Sequence, residues 1–138
     1  MKKLQWWFRI VGAVYVVLGI GFVPALNAGR LSMILPGFDA PLGGVAYRGV
    51  LDFSFMFGLD LLVTGAYLLY ASREPQRHIS IVWLVVALEF VRGILDDIYM
   101  IASGYAAPFY LGFIVLHTLI IVTGVMFVRQ AQAQTRAA

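Results

Sequence analysis

The sequence predicts an all-α integral membrane protein, a four-helix transmembrane bundle forming one domain over residues 1–138. Three observations carry this expectation. The chain is 62% hydrophobic and 12% charged, whereas a soluble domain is about 25% charged. Its mean hydropathy is +0.88, which leaves too little polar surface for a soluble fold. The apolar residues gather in four runs of the length that crosses a bilayer as a helix, about 20 residues. Lysine and arginine fall mainly at the ends of those runs, which is a topology signal. The net charge of +3 therefore does not point to nucleic acid, because no basic stripe lies on a polar surface. With no cysteine, disulfides, thiolate nucleophiles and cysteine-held metal clusters are excluded.

The first nine residues carry Lys2, Lys3, Trp6, Trp7 and Arg9, a cytoplasmic flank followed by an interfacial aromatic belt. The first span covers residues 8–26. It is read as a retained span, because Leu26 spoils the small-residue pattern of a signal-peptide cleavage site. Gly12 and Gly19 share one face, where small residues let helices approach closely. Residues 27–49 form an outer loop, since Gly29, Pro36, Gly37, Pro41, Gly43 and Gly44 preclude a continuous helix. Its apolar residues, among them Leu31, Met33 and Phe38, suit a folded segment on the membrane surface with a short interfacial helix. This loop is either a connector or a lid over the outer mouth of the bundle.

The second span covers residues 50–71. Asp52, Met56, Asp60 and Tyr67 share one of its faces, and Gly58 and Gly65 lie on a neighbouring stripe. Glu74-Pro75 breaks the helix in the polar turn that follows. The third span covers residues 79–102 and holds Glu89, Arg92, Asp96 and Asp97. The fourth covers residues 109–128, with His117 near its centre, and a polar, frayed tail follows. Lys2, Lys3, Arg9, Arg73, Arg77, Arg129 and Arg136 fall on one side, against Arg30 and Arg48 on the other. The positive-inside rule then places both termini in the cytoplasm of a bacterial cell, with the spans in its inner membrane.

The charges inside the spans define the candidate site. A charge at the bilayer centre costs about 3 kcal/mol on insertion scales, so each one needs an offset. With a 1.5 Å rise per residue, Asp60, Arg92, Glu89 and His117 fall at depths of roughly 13 to 20 Å from the outer side. Asp52, Asp96 and Asp97 lie above them. Regular helical periodicity puts Glu89, Arg92 and Asp96 on one face, where Arg92 can bridge both carboxylates. That face is expected to look into the bundle, with Arg92 at the centre and Asp60 and His117 meeting it from neighbouring helices. Asp97, one step round, would face Arg48 or the headgroups.

Several chemistries fit these residues: a polar lock between helices, a site for a small ligand, an ion or a proton relay, a metal centre, and general-base catalysis by His117. Metal is disfavoured. Di-iron bundles use Glu-x-x-His, and the partner at that spacing from Glu89 is Arg92, a cation. No nucleophile motif accompanies His117. No cofactor is indicated by the residues, and His78 and His117 lie at different depths, which excludes joint haem ligation.

The chain resembles the BphX-like family of small four-span bacterial membrane proteins, and more distantly the DoxX-like proteins. The resemblance rests on Lys2-Lys3-Leu4-Gln5-Trp6-Trp7, on Phe55-Met56-Phe57-Gly58-Leu59-Asp60, and on Glu89-Phe90-Val91-Arg92-Gly93-Ile94 with Asp96-Asp97-Ile98-Tyr99. His117 and Thr123-Gly124 fit it too. It implies an inner-membrane accessory product, in some cases linked to aromatic-compound degradation, and the DoxX likeness adds a quinone or redox partner. It supplies no catalytic residues.

The functional expectation is a small inner-membrane protein whose buried acidic, Arg and His residues bind a small ligand or ion. An accessory subunit of a membrane complex is the companion reading. A membrane enzyme or a proton-coupled, quinone-linked redox component is the alternative, and a purely structural interaction module is another. The expected partners are the lipid bilayer, a small-molecule or ion ligand, and further copies or a larger membrane complex, without nucleic acid.

Overall fold

The computed structural model describes residues 2–35 and 37–136, with the side chain of Arg136 left out. Pro36 of the outer loop and Ala137 and Ala138 of the tail lie outside the described residues. The described residues are helix, turn or loop, without strand among them. The helices are α1 (Lys2–Gly21), α2 (Pro24–Asn27), α3 (Leu31–Ile34), α4 (Val45–Ala71), α5 (Ile79–Leu88), α6 (Asp96–Ala102) and α7 (Ala107–Arg136). A 3₁₀ turn, Ala28–Arg30, joins α2 to α3, and a π-helical segment, Glu89–Leu95, joins α5 to α6 without a break.

Three helices are long and apolar enough to cross a membrane: Lys2–Gly21, Val45–Ala71 and the stretch Ala107–Thr135 of α7. Their outward faces are apolar, with Ile10, Val17, Phe53, Val63, Val115 and Leu119 all exposed. Exposed apolar surface of this extent marks contact with lipid or protein.

The bounds depart from the sequence expectation where local chemistry overrides hydropathy. The first long helix ends at Gly21 rather than at residue 26. The chain turns through Phe22 and Val23, and Pro24 opens α2, where its missing N–H costs nothing. The apolar residues beyond Gly21 thus belong to the short helices of the loop. At the other end, the tail expected to fray continues α7 to Arg136. Its Thr135 hydroxyl accepts a bond from Gln76 Nε2 at 3.3 Å, which ties the last turns to the polar turn before α5.

The chain divides into two compact units, one made of Met1–Val11 and Tyr70–Ala138, the other of Gly12–Leu69. In the first, Leu4, Trp7, Phe8 and Val11 are buried, related by steps of three and four that put them on one helical face. Trp7 was expected in the interfacial belt with Trp6. Trp6 is 58% exposed, but Trp7 is 3% exposed, and its indole N–H donates to the Ile120 carbonyl at 3.1 Å. Gly124, one turn beyond Ile120, leaves the space for the ring: a Cβ there would stand 3.0 Å from Trp7 Cζ2.

In the second unit α1 and α4 cross closely through two glycine pairs. A Cβ on Gly12 would stand 2.9 Å from the Gly65 carbonyl oxygen, and one on Gly19 would stand 2.7 Å from that of Gly58. Both pairs repeat at seven residues, so two antiparallel backbones stay in contact over two turns. The glycine stripes read from the sequence find each other here. Hydroxyls along the helices bond to their own backbone, as in Ser54 to Val50 O at 2.6 Å and Thr123 to Leu119 O at 2.6 Å.

Candidate functional site

The side-chain cluster that the structure assembles in the first unit is Glu89, Asp97 and His117. Its origin is the π-helical segment. In a regular helix, eight residues overshoot two turns by about 80°, so Glu89 and Asp97 would point apart. The wider turn of Glu89–Leu95 absorbs an extra residue, and eight residues then close on two turns. The buried positions record this change of pitch. They run Val82, Val85, Glu89, Gly93, Asp97, with spacings of three and then four, four and four.

This register reverses part of the expected arrangement. Regular periodicity grouped Glu89, Arg92 and Asp96 on the inner face. The inner face instead carries Glu89, Gly93 and Asp97, and Arg92 and Asp96 are exposed. Asp97, expected to face Arg48 or the headgroups, is turned inward. Asp52 and Asp60 belong to the second unit and are exposed along α4. Of the seven residues expected at the site, three are brought together.

His117 of α7 lies against this face. Its Nδ1 is 2.5 Å from Glu89 Oε2, and its Nε2 is 3.5 Å from Asp97 Oδ2. The first is a hydrogen bond. The second is an electrostatic contact beyond hydrogen-bond range, and Asp97 Oδ2 is a buried atom without a hydrogen-bond partner. Glu89 and Asp97 are only 4% and 6% exposed. Between them Gly93 forms the seat of the ring. A Cβ at this position would stand 2.6 Å from His117 Cγ and 2.7 Å from Nδ1, closer than atoms can pack. Phe113, one turn earlier on α7, stacks on the imidazole with centroids 6.2 Å apart and planes 28° from parallel.

Gly93 and Phe113 were not singled out for the site by sequence. A glycine in mid-helix, four residues from each of two carboxylates, is the signal that could have found the first. Nothing in the sequence distinguishes Phe113 from the other phenylalanines of the spans.

Chemically, the trio is one imidazole with a carboxylate at each nitrogen. Ionised carboxylates only accept hydrogen bonds, and each imidazole nitrogen either donates or accepts according to its proton. With one proton on the ring, only one carboxylate is served. A second proton, on Nε2 or on Asp97, serves both. Among the described residues no group of three or more His, Asp and Glu side chains is disposed to hold a metal ion.

Comparison with known proteins bears on the family. The chain is 29% identical over 119 residues to an uncharacterized BphX-like protein of Burkholderia cepacia, covering 86% of each chain. It stands in the same relation, with the same identity and coverage, to an uncharacterized BphX-like protein of Paraburkholderia xenovorans (strain LB400). No solved structure matches it. The family model described as BphX-like matches residues 1–133, nearly the whole chain, and the protein therefore belongs to the BphX-like family.

Proposed function

We propose that this is a four-span inner-membrane protein that binds and passes a proton at Glu89, His117 and Asp97. The observation that supports this most is the half-buried imidazole with a buried carboxylate at each of its two nitrogens. A proton accepted at one nitrogen can be released at the other, and intramembrane carboxylate and histidine chains serve such relays. The helical stretch from Ile79 to Ala102 supplies the fourth crossing. It is unbroken through the π-helical segment and about 36 Å long at a helical rise. Its charges keep it from reading as a simple apolar span. The excess of Lys and Arg at the termini and in the turn before α5 supports cytoplasmic ends.

The experiment is a proton-flux measurement. The purified full chain is reconstituted in vesicles holding a pH-sensitive dye, and the outside is acidified. The parent should equilibrate faster than protein-free vesicles. His117→Phe keeps a flat ring over Gly93 and should fall to the protein-free rate. Equal rates for the parent and this variant would overturn the assignment.

A second reading, assembly with further copies or a larger membrane complex, is favoured by Asp60. It is exposed near the middle of α4, a helix long enough to cross a membrane. An aspartate at mid-bilayer costs about 3 kcal/mol if it faces lipid. A neighbouring protein surface would remove that cost. Native mass spectrometry from lipid nanodiscs should find the chain in a complex, and a strictly monomeric species would count against the reading.

A further inference from the structure

We infer a binding site for the phosphate-bearing headgroup of an anionic membrane lipid, in the cavity between the start of α1 and the last turns of α7. The cavity measures about 320 Å³, at the small end of the range for small-molecule sites. Lys2 and Lys3 line it from α1, Gln130 and Gln134 line it from α7, and Leu4 and Phe127 lie between them. Leu4 is 1% exposed, so the floor is fixed apolar packing, while the lysines and glutamines are exposed at the rim. The site needs only α1 and α7 to cross a membrane, and the proton relay is no part of it.

Position follows from the packing of the two helices. Trp7 donates to the Ile120 carbonyl and rests on Gly124, so α1 and α7 run antiparallel and the start of one lies against the end of the other. Both are long and apolar enough to cross a membrane. Trp6 is exposed, with the Arg9 guanidinium 5.4 Å over its ring. Exposed tryptophans of spanning helices sit at the level of the lipid headgroups. Lys2 and Lys3 lie roughly 5 Å nearer the end of the helix, which puts the mouth of the cavity in the headgroup layer.

Charge selects the ligand. Lys2, Lys3, Arg9, Arg129 and Arg136 belong to these two helices, and neither helix contains Asp or Glu. Arg73 and Arg77 lie at the same end, because the turn that holds them is tied to α7 by the bond from Gln76 to Thr135. Glu74 of that turn is already paired with Arg77 at 2.6 Å. The unit's other acidic side chains, Glu89, Asp96 and Asp97, belong to the level of His117, roughly 20 Å along α7 from Gln130. An anion from outside the chain is therefore needed to offset Lys2 and Lys3. Ammonium and amide groups donate to phosphate oxygens, and basic pockets between spanning helices suit anionic headgroups. A free phosphate would gain nothing from Leu4 and Phe127, whereas the glycerol and first methylenes of a lipid can cover them.

The test is native mass spectrometry of the purified full chain in detergent micelles, titrated with dioleoyl phosphatidylglycerol or dioleoyl phosphatidylcholine. The two lipids share their chains and phosphate, but the choline cation is repelled by the lysines. The parent should hold one phosphatidylglycerol about tenfold more tightly than phosphatidylcholine. Lys2→Gln with Lys3→Gln should abolish that preference while leaving phosphatidylcholine binding unchanged, which shows that the variant is folded. Lys2→Arg with Lys3→Arg should keep the preference. Arg73→Gln with Arg77→Gln removes the same charge from the neighbouring turn and should leave the preference intact. An equal loss in this last variant would mean diffuse attraction to a basic surface and would overturn the site, as would equal binding of the two lipids by the parent. Inorganic phosphate should displace the lipid no better than chloride at the same ionic strength. Stronger displacement by phosphate would give the cavity to a free anion and overturn the lipid assignment.

Discussion

At Gly93 the absence of a side chain is what lets His117 reach two carboxylates at once. The ring rests where a Cβ would stand, 2.6 Å from Cγ. Gly93→Ala should push His117 off its seat and lower stability by about 1–3 kcal/mol, the usual cost of overpacking a core. Unfolding in mixed micelles would measure it. The cause can be isolated by a double-mutant cycle. His117→Ala vacates the space, so Gly93→Ala should cost little in that background, where added helix propensity favours alanine. An equal cost in both backgrounds would mean that Gly93 is needed for the helix itself and not for the ring. Asp97 acts at the same scale. Its buried, unbonded Oδ2 lies within 3.5 Å of Nε2, so a ring movement of less than an ångström would bring it into hydrogen-bond range, about 3 Å.

At the scale of the element, the π-helical segment is what makes a site from these residues. Deleting Ile94 should remove the extra residue and restore regular pitch, and the seven-residue separation left between Glu89 and Asp97 then closes within about 20° of two turns, so both should stay on one face. His117 should then keep both carboxylates, and nitrogen NMR of the labelled imidazole should report both ring nitrogens as in the parent; a change at one nitrogen alone would mean that the wider turn does more than absorb a residue. This segment also explains what the sequence could and could not convey. Helical class and the limits of the third apolar run, residues 79–102, follow from composition and run length, and the structure has a continuous helical stretch over these residues. The face of that span depends on pitch. The regular repeat selects Glu89, Arg92 and Asp96, while the wider turn selects Glu89, Gly93 and Asp97. A π turn has no composition of its own, so nothing local warns of it. The glycine crossing of α1 and α4 was more legible, because a close approach requires small residues and those are visible in the sequence. Gly58→Ala places a methyl 2.5 Å from Phe22 Cβ and should cost about 1–3 kcal/mol. Gly112→Ala meets nothing within 4 Å and is the matched control, expected to be neutral or slightly stabilising by its helix propensity.

At the scale of the whole molecule, the proposed function depends on whether the segment that carries Glu89 and Asp97 crosses the bilayer. Composition argues against it, since four charges in nine residues would disqualify most helices as spans. Continuity argues for it: Ile79 to Ala102 is one helical rod, and polar turns flank it at both ends. The absence of cysteine makes the question direct, because a single introduced thiol is the only one in the protein. Gln76 and Ser103 are exposed in the turns at the two ends of this rod. In sealed spheroplasts, a membrane-impermeant maleimide should label Ser103→Cys readily and Gln76→Cys only after permeabilisation. The opposite pattern would keep the crossing and invert the topology, against the distribution of Lys and Arg. Equal labelling of both thiols from outside would mean that the rod lies on one side of the membrane. Glu89 and Asp97 would then be buried beside His117 without a bilayer around them, and a proton relay across the membrane through that trio would have no path.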